Sequence, residues 1–497
     1  MNSLTIYGGA NEIGGNKILL ESAGKRLWLD FGMSFGQAGK YFSEFLQPKK
    51  FHGIIDLLAT GLLPGLDDMC GLYRRDYLAH CDMKVDERPA YDAVFLTHAH
   101  ADHSSYIHFL RHDIPVYASE VTRQILSAIE VSSSSGFADF TNYTETFQIK
   151  PKQKTEGFTR LRGEAARVPR DFRIIEESHP VKLGHDISVE SIPVNHSLPG
   201  ACAYFIHTPE GTIVYTGDLR FHGYGGMLTQ KFVQRASQAE PLALLCEGTR
   251  IDETKSVSEQ DVQEKATEIA QGKSLVIVDF PARDTERMTS FLEVAKATGR
   301  RLAISLKQAF LLKQLEGTAG NAPSLNDKNL AIYLRRKDWG LITKTGYPAE
   351  IVRQDYEEWE REFLNHPNAV TCDDISLNQT DFIVRIDFFE LPDLTSLKPA
   401  KGSCYIRSLT EPLDEEDLID LERVENWLKL FDLFPYHKIH ASGHLNGTEL
   451  KYLVQEINPK FLIPVHTEHP ELFKKIAGAA TKVVPPEQGQ TFSLPTD

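Results

Sequence analysis

The sequence lacks the marks of secreted, membrane-spanning and strongly basic proteins. Only six of its 497 residues are cysteine, and none forms a Cys-x-x-Cys pair, so a disulfide framework is not expected. Lysine and arginine total 54 against 69 aspartate and glutamate, so a polyanion could bind only at a local basic patch. No secretion signal opens the chain, and its most apolar stretch, from Gly53, is shorter than a bilayer span. We therefore expect a soluble, cytoplasmic protein with no membrane role.

The order of strand-like and helix-like patterns divides the chain into segments. Strand patterns such as "KRLWLDFG" dominate the first part. From about residue 252, buried strands alternate with helices, as in "SLVIVDF" followed by "RDTERMTSFLEVAKATG", which is typical of a doubly wound α/β unit. This change of pattern predicts a boundary at about residue 252. The family resemblance carried by the motifs below implies one domain over residues 1–251 and 426–497, interrupted by an α/β domain over 252–425. Residues 40–90 are expected to be mostly helical, as a buried cover, a lid or a subunit contact.

Three short glycine patterns fail the tests for the sites they suggest. "GKS" at Gly272 lacks the earlier glycine of a P-loop, and "GGANEIGG" lacks the spacing of a dinucleotide fingerprint. "GMSFG" around Ser34 fits the pattern of a serine nucleophile, but only three short strands precede it. We expect turns at these positions and no organic cofactor.

The clearest chemical signal is "HAHADH" at residues 98–103, which follows the apolar strand "DAVFLT". Residues two apart in an extended chain point to the same side, so His98 and His100 should share one site. Asp102 and His103 fall in the turn to the next helix and can face a neighbouring point. Imidazole and carboxylate groups are ligands of zinc-type ions. The spacing therefore predicts two adjacent metal ions.

Three further candidate ligands each follow a predicted strand. They are His196 in "IPVNHSLPG", Asp218 in "IVYTGDLRF" and His466 in "KFLIPVHTE". Each would be a weak assignment alone. Together they follow one rule, because all three lie on loops expected to leave the same edge of a sheet sandwich.

The motifs "THAHADH", "NHSLPGA", "TGDLRF" and "HASGH" with "PVH" resemble those of the metallo-β-lactamase fold, in its β-CASP branch of nucleases. The opening "GGANEIGGN" and residues 440–469 are similar to the ribonuclease J family. This resemblance covers most of the chain and implies a four-layer αββα metallo-β-lactamase sandwich with an inserted α/β β-CASP domain. The chain ends soon after His466, before the C-terminal domain usual in bacterial members, which leaves a homo-oligomer open.

The resemblance also implies a role for each motif residue. Two zinc ions, or manganese in their place, would be bridged by Asp218. Glu247 in "CEGTR" matches the acid of one β-CASP motif, and His444 matches the histidine of the next. Asp30 in "LWLDFG" would support the site without binding metal. The implied ligands are His98, His100, His196 and Asp218 for one ion, and Asp102, His103, Asp218 and His466 for the other.

The implied reaction is hydrolysis of RNA phosphodiester bonds by a two-metal mechanism. Asp102 would orient the attacking water, and His444, hydrogen-bonded to Glu247, would protonate the departing oxygen. A histidine at the position of His466 resembles the RNA-acting members of the branch. The resemblance allows a 5′→3′ exonuclease on 5′-monophosphate RNA, an endonuclease, or both.

Single-stranded RNA would need basic contacts on this acidic protein. Residues 150–170 hold seven Lys or Arg against two Glu. With Arg283 and Arg287 of the inserted domain, they are expected to line a cleft between the domains and bind phosphates. The backbone of Ser442 and Gly443 offers further candidate substrate contacts. The alternative for the basic residues is ordinary solvated surface.

Other functions are compatible with the same motifs. A DNA nuclease or a small-ester hydrolase would use the same fold and metals, and substrate competition separates them from a ribonuclease. A serine hydrolase at Ser34 would be indifferent to chelators. A non-catalytic β-CASP scaffold subunit would have lost ligands, yet all seven candidate ligands are present.

Overall fold

The computed structural model describes residues 2–43, 45–49, 52–66, 69–80, 87–133, 141–177, 179–410 and 415–495. Within them, no helix is both long enough and apolar enough to cross a membrane. The strands are β1 (Asn2–Gly8), β2 (Lys17–Ser22), β3 (Lys25–Phe31), β4 (Ala93–Phe95), β5 (Val116–Ala118), β6 (Tyr143–Glu145), β7 (Ile149–Pro151), β8 (Phe158–Arg160), β9 (Arg167–Pro169), β10 (Phe172–Ile174), β11 (Val181–Leu183), β12 (Ile187–Pro193), β13 (Cys202–Thr208), β14 (Gly211–Tyr215), β15 (Ala243–Glu247), β16 (Val276–Asp279), β17 (Arg301–Ser305), β18 (Leu330–Leu334), β19 (Ala369–Thr371), β20 (Phe382–Arg385), β21 (Cys404–Arg407), β22 (His437–Lys438), β23 (Phe461–Val465), β24 (Lys482–Val483) and β25 (Thr491–Leu494). The α-helices are α1 (Phe35–Gly39), α2 (Ile55–Ala59), α3 (Arg75–His80), α4 (Ala101–Ser104), α5 (Glu120–Ser132), α6 (Gly226–Gln238), α7 (Glu259–Ala270), α8 (Thr285–Ala297), α9 (Leu306–Gln314), α10 (Ala349–Gln354), α11 (Cys372–Leu377), α12 (Leu394–Leu397), α13 (Glu415–Leu430), α14 (Gly447–Ile457) and α15 (Phe473–Ile476).

Two sheets pack face to face. The first has the strand order β10-β5-β4-β3-β2-β1-β25, and the second has the order β11-β12-β13-β14-β15-β23-β24. Successive residues of a strand face opposite sides. Leu27 and Leu29 of β3 accordingly lie in one core with Tyr204 and Leu245 of the second sheet, whereas Trp28 between them lies in another core. The space between the sheets is therefore a continuous apolar layer.

Helices cover the outer faces of both sheets. Phe232 of α6 and Leu453 of α14 share a core with Phe205 of β13 on the second sheet. Ile125 of α5 shares a core with Val116 of β5 on the first. This arrangement confirms the predicted four-layer αββα sandwich.

The stretch 40–90, predicted to be mostly helical, contributes α2, α3 and a 3₁₀ turn at Met69–Gly71. Leu57, Leu63 and Tyr73 are buried in the core that also contains Trp28. Part of this stretch therefore packs in the core beside the first sheet, whereas Phe45 and Leu46 are exposed. Residues 44, 50, 51, 67, 68 and 81–86 lie outside the described residues.

A third sheet has the order β19-β18-β17-β20-β16-β21-β22, and all of its strand pairs are parallel. Ala303 and Ile304 of β17 face different cores, so apolar layers cover both faces of this sheet. It corresponds to the inserted α/β unit predicted over residues 252–425, and we propose that this unit extends to β22. Helix α13 runs through residue 425, and the short strand β22 still pairs with β21 beyond it.

Strand direction brings the predicted site residues to one edge of the sandwich. In the second sheet β12, β14, β15 and β23 run in the same direction, and in the first sheet β3 and β4 do. The carboxyl ends of such strands meet at a common edge. The residues at or just beyond these ends are Asp30, His98, His196, Asp218, Glu247 and His466.

Candidate metal centre

Four side chains at this edge converge on one point. Nε2 of His98 lies 2.8 Å from Nδ1 of His100, and Nε2 of His196 lies 3.1 Å from the same nitrogen. Oδ2 of Asp218 is 3.7 Å from Nε2 of His98 and 3.9 Å from Nε2 of His196. All four ligand atoms lie within 4.8 Å of one another, close enough for one ion to contact them all.

Asp102, His103 and His466 form a second group beside the first. Oδ2 of Asp102 lies 3.2 Å from Nε2 of His466 and 3.8 Å from Nε2 of His103. Oδ2 of Asp218 lies 3.1 Å from Nε2 of His103 and 3.6 Å from Nε2 of His466. Asp218 therefore lies between the two groups, where a bridging carboxylate would have to be.

Two histidines of the cluster are oriented by hydrogen bonds at Nδ1, the ring nitrogen that faces away from the cluster. Nδ1 of His103 lies 2.7 Å from Oδ2 of Asp30, and Nδ1 of His196 lies 2.7 Å from the carbonyl oxygen of Gly443. Both oxygens only accept, so each Nδ1 donates its proton and each Nε2 is directed inward. The fold thus presents the nitrogen that a metal would use.

Asp30 is the centre of a buried hydrogen-bond network at the end of β3. Its Oδ2 accepts from the hydroxyl of Tyr215 at 2.7 Å and from Oγ1 of Thr97 at 2.8 Å, and its Oδ1 accepts from the backbone N–H of Thr97 at 2.7 Å. Oγ1 of Thr97 in turn lies 3.0 Å from Nδ1 of His98. This network connects Asp30 to histidines of both groups, as the predicted supporting role requires.

The donor atoms fit a divalent cation. Within the described residues, Oδ1 of Asp218 is buried and has no hydrogen-bond partner. Buried polar atoms are normally paired, so this oxygen is available to a cation. Clustered imidazole nitrogens and carboxylate oxygens are the ligands that zinc-type ions prefer. The centre is therefore suited to binding divalent metal.

Burial keeps three of the histidines neutral. It lowers the pKa of His98 and His196 well below the usual range, and it lowers the pKa of His100 to about 4. A neutral imidazole is the form that binds metal. These three side chains need not lose a proton at neutral pH before they can act as ligands.

The carboxylates are ionised. Burial alone would raise the pKa of Asp102 and of Asp218, but the adjacent histidines, His103 foremost, hold both pKa values well below the usual range. The pKa of His103 itself would be lowered by burial, but the charges of Asp218 and Asp102 raise it well above normal. Metal binding at the second group must therefore displace a proton from His103.

His444 and Glu247 lie together beside the cluster. Nδ1 of His444 is 3.2 Å from Oε1 of Glu247, and Nε2 of His444 is 4.0 Å from Oδ2 of Asp218. Burial would lower the pKa of His444, but the charges of Glu247 and Asp218 raise it to about 9. The imidazole is 19% exposed, so it can present a proton to the cleft.

Known proteins are similar to this chain over most of its length, at low sequence identity. Residues 64–237 match the beta-lactamase superfamily domain. Ribonuclease J of Pyrococcus abyssi is 23% identical, over 94% of this chain and 90% of its own length. Ribonuclease J of Mycolicibacterium smegmatis is 24% identical, over 97% of this chain and 72% of its own length.

A solved structure has the same overall fold. It is a protein of unknown function from Enterococcus faecalis, with a TM-score of 0.70 and 23% identity over 99% of both chains. The chain is thus similar to ribonuclease J over nearly its whole length, and residues 64–237 match a beta-lactamase superfamily domain.

Thr249 lies in the candidate site, although the motifs of the sequence did not single it out. Its Oγ1 lies 3.1 Å from Nδ1 of His444 and 2.9 Å from Nδ1 of His466. Its backbone N–H donates to Oε2 of Glu247 at 3.0 Å. The available signal was its place in "CEGTR", two positions after the motif acid.

Arg287, predicted to contact substrate, lies inside an ion-pair network. It is fully buried, and its Nε and one terminal nitrogen donate to the two carboxylate oxygens of Glu259 at 2.9 and 3.0 Å. Its other N–H groups donate to two oxygens of Ser408, Oγ and the carbonyl oxygen, and to the carbonyl oxygen of Ala441. No N–H of Arg287 is left for a phosphate, so the predicted substrate contact does not fit this position.

Arg220 joins the same network from the metal-binding side. It donates to Glu259 at 3.2 Å, to Glu286 at 2.8 Å and to the carbonyl oxygen of Ser442 at 3.3 Å. It lies two positions after Asp218 in "TGDLRF". The network therefore ties the loop that carries Asp218 to helices α7 and α8 of the inserted domain.

The remaining predicted substrate contacts lie at the cluster. Arg283 is exposed, and its charge adds to the lowering of the pKa of His100 by burial. Oγ of Ser442 accepts from the backbone N–H of His444 at 3.2 Å. A Cβ at Gly443 would lie 2.9 Å from Cε1 of His196, so only glycine fits there. Phosphate binding by these three residues stays a prediction.

The basic segment 150–170 does not lie beside the metal centre. Strands β10, β5 and β4 are parallel, and His98 follows the carboxyl end of β4. Phe172 begins β10, so the segment that leads into it approaches the opposite end of the sheet. The predicted position of this segment, in a cleft at the active site, is therefore not supported.

Ser34 of "GMSFG" is a helix cap. Its Oγ accepts from the backbone N–H of Gln37 at 3.1 Å and donates to Oε2 of Glu12 at 2.5 Å. No histidine of the described residues is hydrogen-bonded to it, so the serine-hydrolase alternative lacks its base.

Proposed function

We propose that this protein is a metal-dependent ribonuclease that hydrolyses phosphodiester bonds of single-stranded RNA in the cytoplasm. The observation that carries the proposal is the position of Asp218 between two groups of ligands, with the His444–Glu247 pair beside it. The ribonuclease J relatives, which align with nearly the whole chain, support RNA as the substrate class.

Two divalent ions, zinc or manganese, fit the donor set in this proposal. Such ions, when bound, supply hydroxide at neutral pH and stabilise negative charge on the phosphate. The residues that would hold the first are His98, His100, His196 and Asp218, and those that would hold the second are Asp102, His103, Asp218 and His466.

Two partly exposed side chains would position the water and supply a proton. Asp102, which is 18% exposed and ionised, can accept a hydrogen bond from the attacking water and orient it. Nδ1 of His444 is committed to Glu247 and Thr249. Nε2 of His444 is therefore the atom that donates a proton to the departing oxygen.

A cleft of about 180 Å³ opens beside His196, lined by residues of the sandwich and of the inserted α/β unit. We place the scissile nucleotide at this cleft, with the Arg283 guanidinium and the backbone N–H groups of Ser442 and Gly443 near a phosphate. The lining residues include Asn195, Gly200, Thr285 and Gly320.

The test is cleavage of end-labelled single-stranded RNA that carries a 5′-monophosphate or a 5′-triphosphate. We expect metal-dependent cleavage by the wild type and a loss of at least about 100-fold in Asp102→Asn. Asp186→Asn is the matched control, because Asp186 is an exposed carboxylate outside the centre. Preferential loss of the monophosphate RNA would indicate 5′→3′ exonuclease action, and internal fragments would indicate endonuclease action.

The proposal fails if RNA stays intact while zinc or manganese is measured bound to the protein. Faster cleavage of a matched DNA oligomer, with RNA competing poorly, would also overturn RNA as the substrate. If the protein hydrolyses a small ester and no nucleic acid, the proposed metal centre is still supported but the proposed nuclease activity is wrong.

A further inference from the structure

The basic segment forms an exposed hairpin, β7–β8, with a short flanking pair, β6–β9. Its cations are exposed, with Arg160 over the ring of Phe147 and Arg167 over the ring of Tyr143, and within the described residues none of those named next forms an ion pair. They are Lys150, Lys152, Lys154, Arg160, Arg162 and Arg167. Such a concentration of unpaired positive charge is unusual on a chain of net charge −15 and indicates an anionic partner.

One face of the hairpin is apolar and aromatic. Ile149 pairs with Arg160 and Pro151 pairs with Phe158, so these four side chains share a face. Phe158 is 64% exposed and Ile149 is 57% exposed. The guanidinium of Arg160 lies 5.1 Å from the ring centre of Phe147, which adds a second aromatic group to this face. Aromatic rings beside cations are the elements on which unpaired bases stack.

The hairpin has little support from the rest of the fold. Both of its strands are exposed along their whole length, and they pair only with each other. An isolated two-stranded hairpin is marginal in water, so a bound partner would stabilise it. Its position, near the end of the sheet opposite His98, separates it from the metal centre.

We propose that the β7–β8 hairpin is a second binding site for single-stranded RNA, remote from the cleavage centre. The cations contact phosphates, and Phe158 with the Phe147–Arg160 pair stacks on bases. The proposal rests on the proposed function in taking RNA as the anion. It further predicts that RNA binds more tightly once it is long enough to contact the metal centre and the hairpin at the same time.

The experiment measures RNA binding and cleavage separately in the full chain. Binding of a single-stranded RNA of about 30 nucleotides is titrated in EDTA, so that no turnover occurs, at several salt concentrations. The variants are Phe158→Ala and a quadruple variant at the hairpin, Lys150→Ser, Lys152→Ser, Lys154→Ser and Arg160→Ser. The matched control neutralises four exposed lysines elsewhere, Lys307→Ser, Lys328→Ser, Lys401→Ser and Lys474→Ser.

We expect the quadruple variant to lose at least about tenfold in RNA affinity. The slope of log affinity against log salt concentration should be smaller in magnitude by roughly three. Phe158→Ala should lose on the order of tenfold, because one stacking contact is removed. The control should keep wild-type affinity. Cleavage of a phosphorylated trinucleotide, too short to reach the hairpin, should be unchanged in both hairpin variants.

Unchanged RNA affinity in both hairpin variants would overturn the proposal. A change of oligomeric state by sedimentation, without a change in RNA affinity, would also overturn it and assign the hairpin to a second copy of the chain. If the wild type binds RNA through the hairpin but cleaves no phosphodiester, the second binding site is supported and the proposed nuclease activity is ruled out. The two proposals can therefore fail separately.

Discussion

Asp30 accepts a hydrogen bond from Nδ1 of His103 at an N–O distance of 2.7 Å, across 73 positions of sequence. The same oxygen also accepts from Tyr215 and Thr97. This bond fixes the tautomer in which Nε2 of His103 is directed toward the metal cluster. The orientation of a ligand thus depends on a residue that does not touch the metal.

Replacing Asp30 by asparagine should therefore weaken metal binding. The asparagine amide can keep accepting from Thr97 through Oδ1 only if its NH₂ group faces His103. Nδ1 of His103 must then accept, so the proton of the ring moves to Nε2, the atom that would bind metal. We expect a loss of about 10–100-fold in metal affinity, measured by competition with a chromophoric chelator. Asp186→Asn serves as the exposed control. Wild-type metal affinity in Asp30→Asn would contradict the supporting role.

His444→Ala should slow RNA cleavage by about 10²–10⁴-fold, because the departing oxygen loses its proton donor. The loss should nearly vanish on a p-nitrophenyl phosphodiester, whose leaving group needs no proton. The measurement is the ratio of kcat on the two substrates. Equal losses on both substrates would show that His444 does not act as the acid and that its removal disturbs the metal centre instead.

Thr249→Val should reduce kcat, because one hydroxyl holds both His444 and His466. The methyl group keeps the volume but cannot hydrogen-bond either Nδ1, and the loss should destabilise the fold by about 1–3 kcal/mol. Thr249→Ser should restore both kcat and the free energy of unfolding. If the serine variant is as slow as the valine variant, packing of the methyl group matters and the hydroxyl does not.

The clustering of the candidate metal ligands could be predicted from the sequence because local rules apply to them. "HAHADH" is compact, and His196, Asp218 and His466 each follow a recognisable strand. Parallel strands then bring these ends to one edge without any knowledge of side-chain contacts. Spacing separates His98 and His100 from Asp102 and His103, and the resemblance to the ribonuclease J family implies which group His196, Asp218 and His466 join.

Long-range contacts could not be predicted in the same way. Arg287 in isolation is a basic residue on a helix, and nothing local shows that Glu259, 28 positions earlier, buries and saturates it. The basic segment 150–170 was recognised by composition, but its position depends on the direction of β10, a three-residue strand. Composition identifies charge, and only the topology locates it.

Arg287→Met should act on stability and not on substrate binding. Removing one partner of a buried ion pair leaves Glu259 unpaired and costs about 3–5 kcal/mol. Urea unfolding should show this loss, while KM for RNA under conditions where the variant is folded stays at the wild-type value. A raised KM with unchanged stability would restore the substrate contact predicted from the sequence.

Asp279, at the end of β16, should make stability depend on pH. It is 3% exposed, and burial raises its pKa to about 7, against the opposing charge of Arg385. The other groups that act on it are Asp387, Arg407 and Tyr405, whose hydroxyl donates to Oδ2 at 3.1 Å. A pKa raised on folding means that the folded chain binds the proton more tightly. The resulting stabilisation is complete below the unfolded pKa of about 4 and is lost as pH rises through about 7.

Asp279→Asn should remove this dependence, because an amide of the same shape stays neutral at every pH. Between pH 5 and pH 8 the wild type should lose roughly 2–4 kcal/mol more free energy of unfolding than the variant, measured by urea titration at both pH values. Asp186→Asn should follow the wild type, since its carboxylate is exposed. Parallel pH profiles for wild type and Asp279→Asn would mean that Asp279 is already ionised in the folded protein at pH 5, with Arg385 and Tyr405 compensating for its burial.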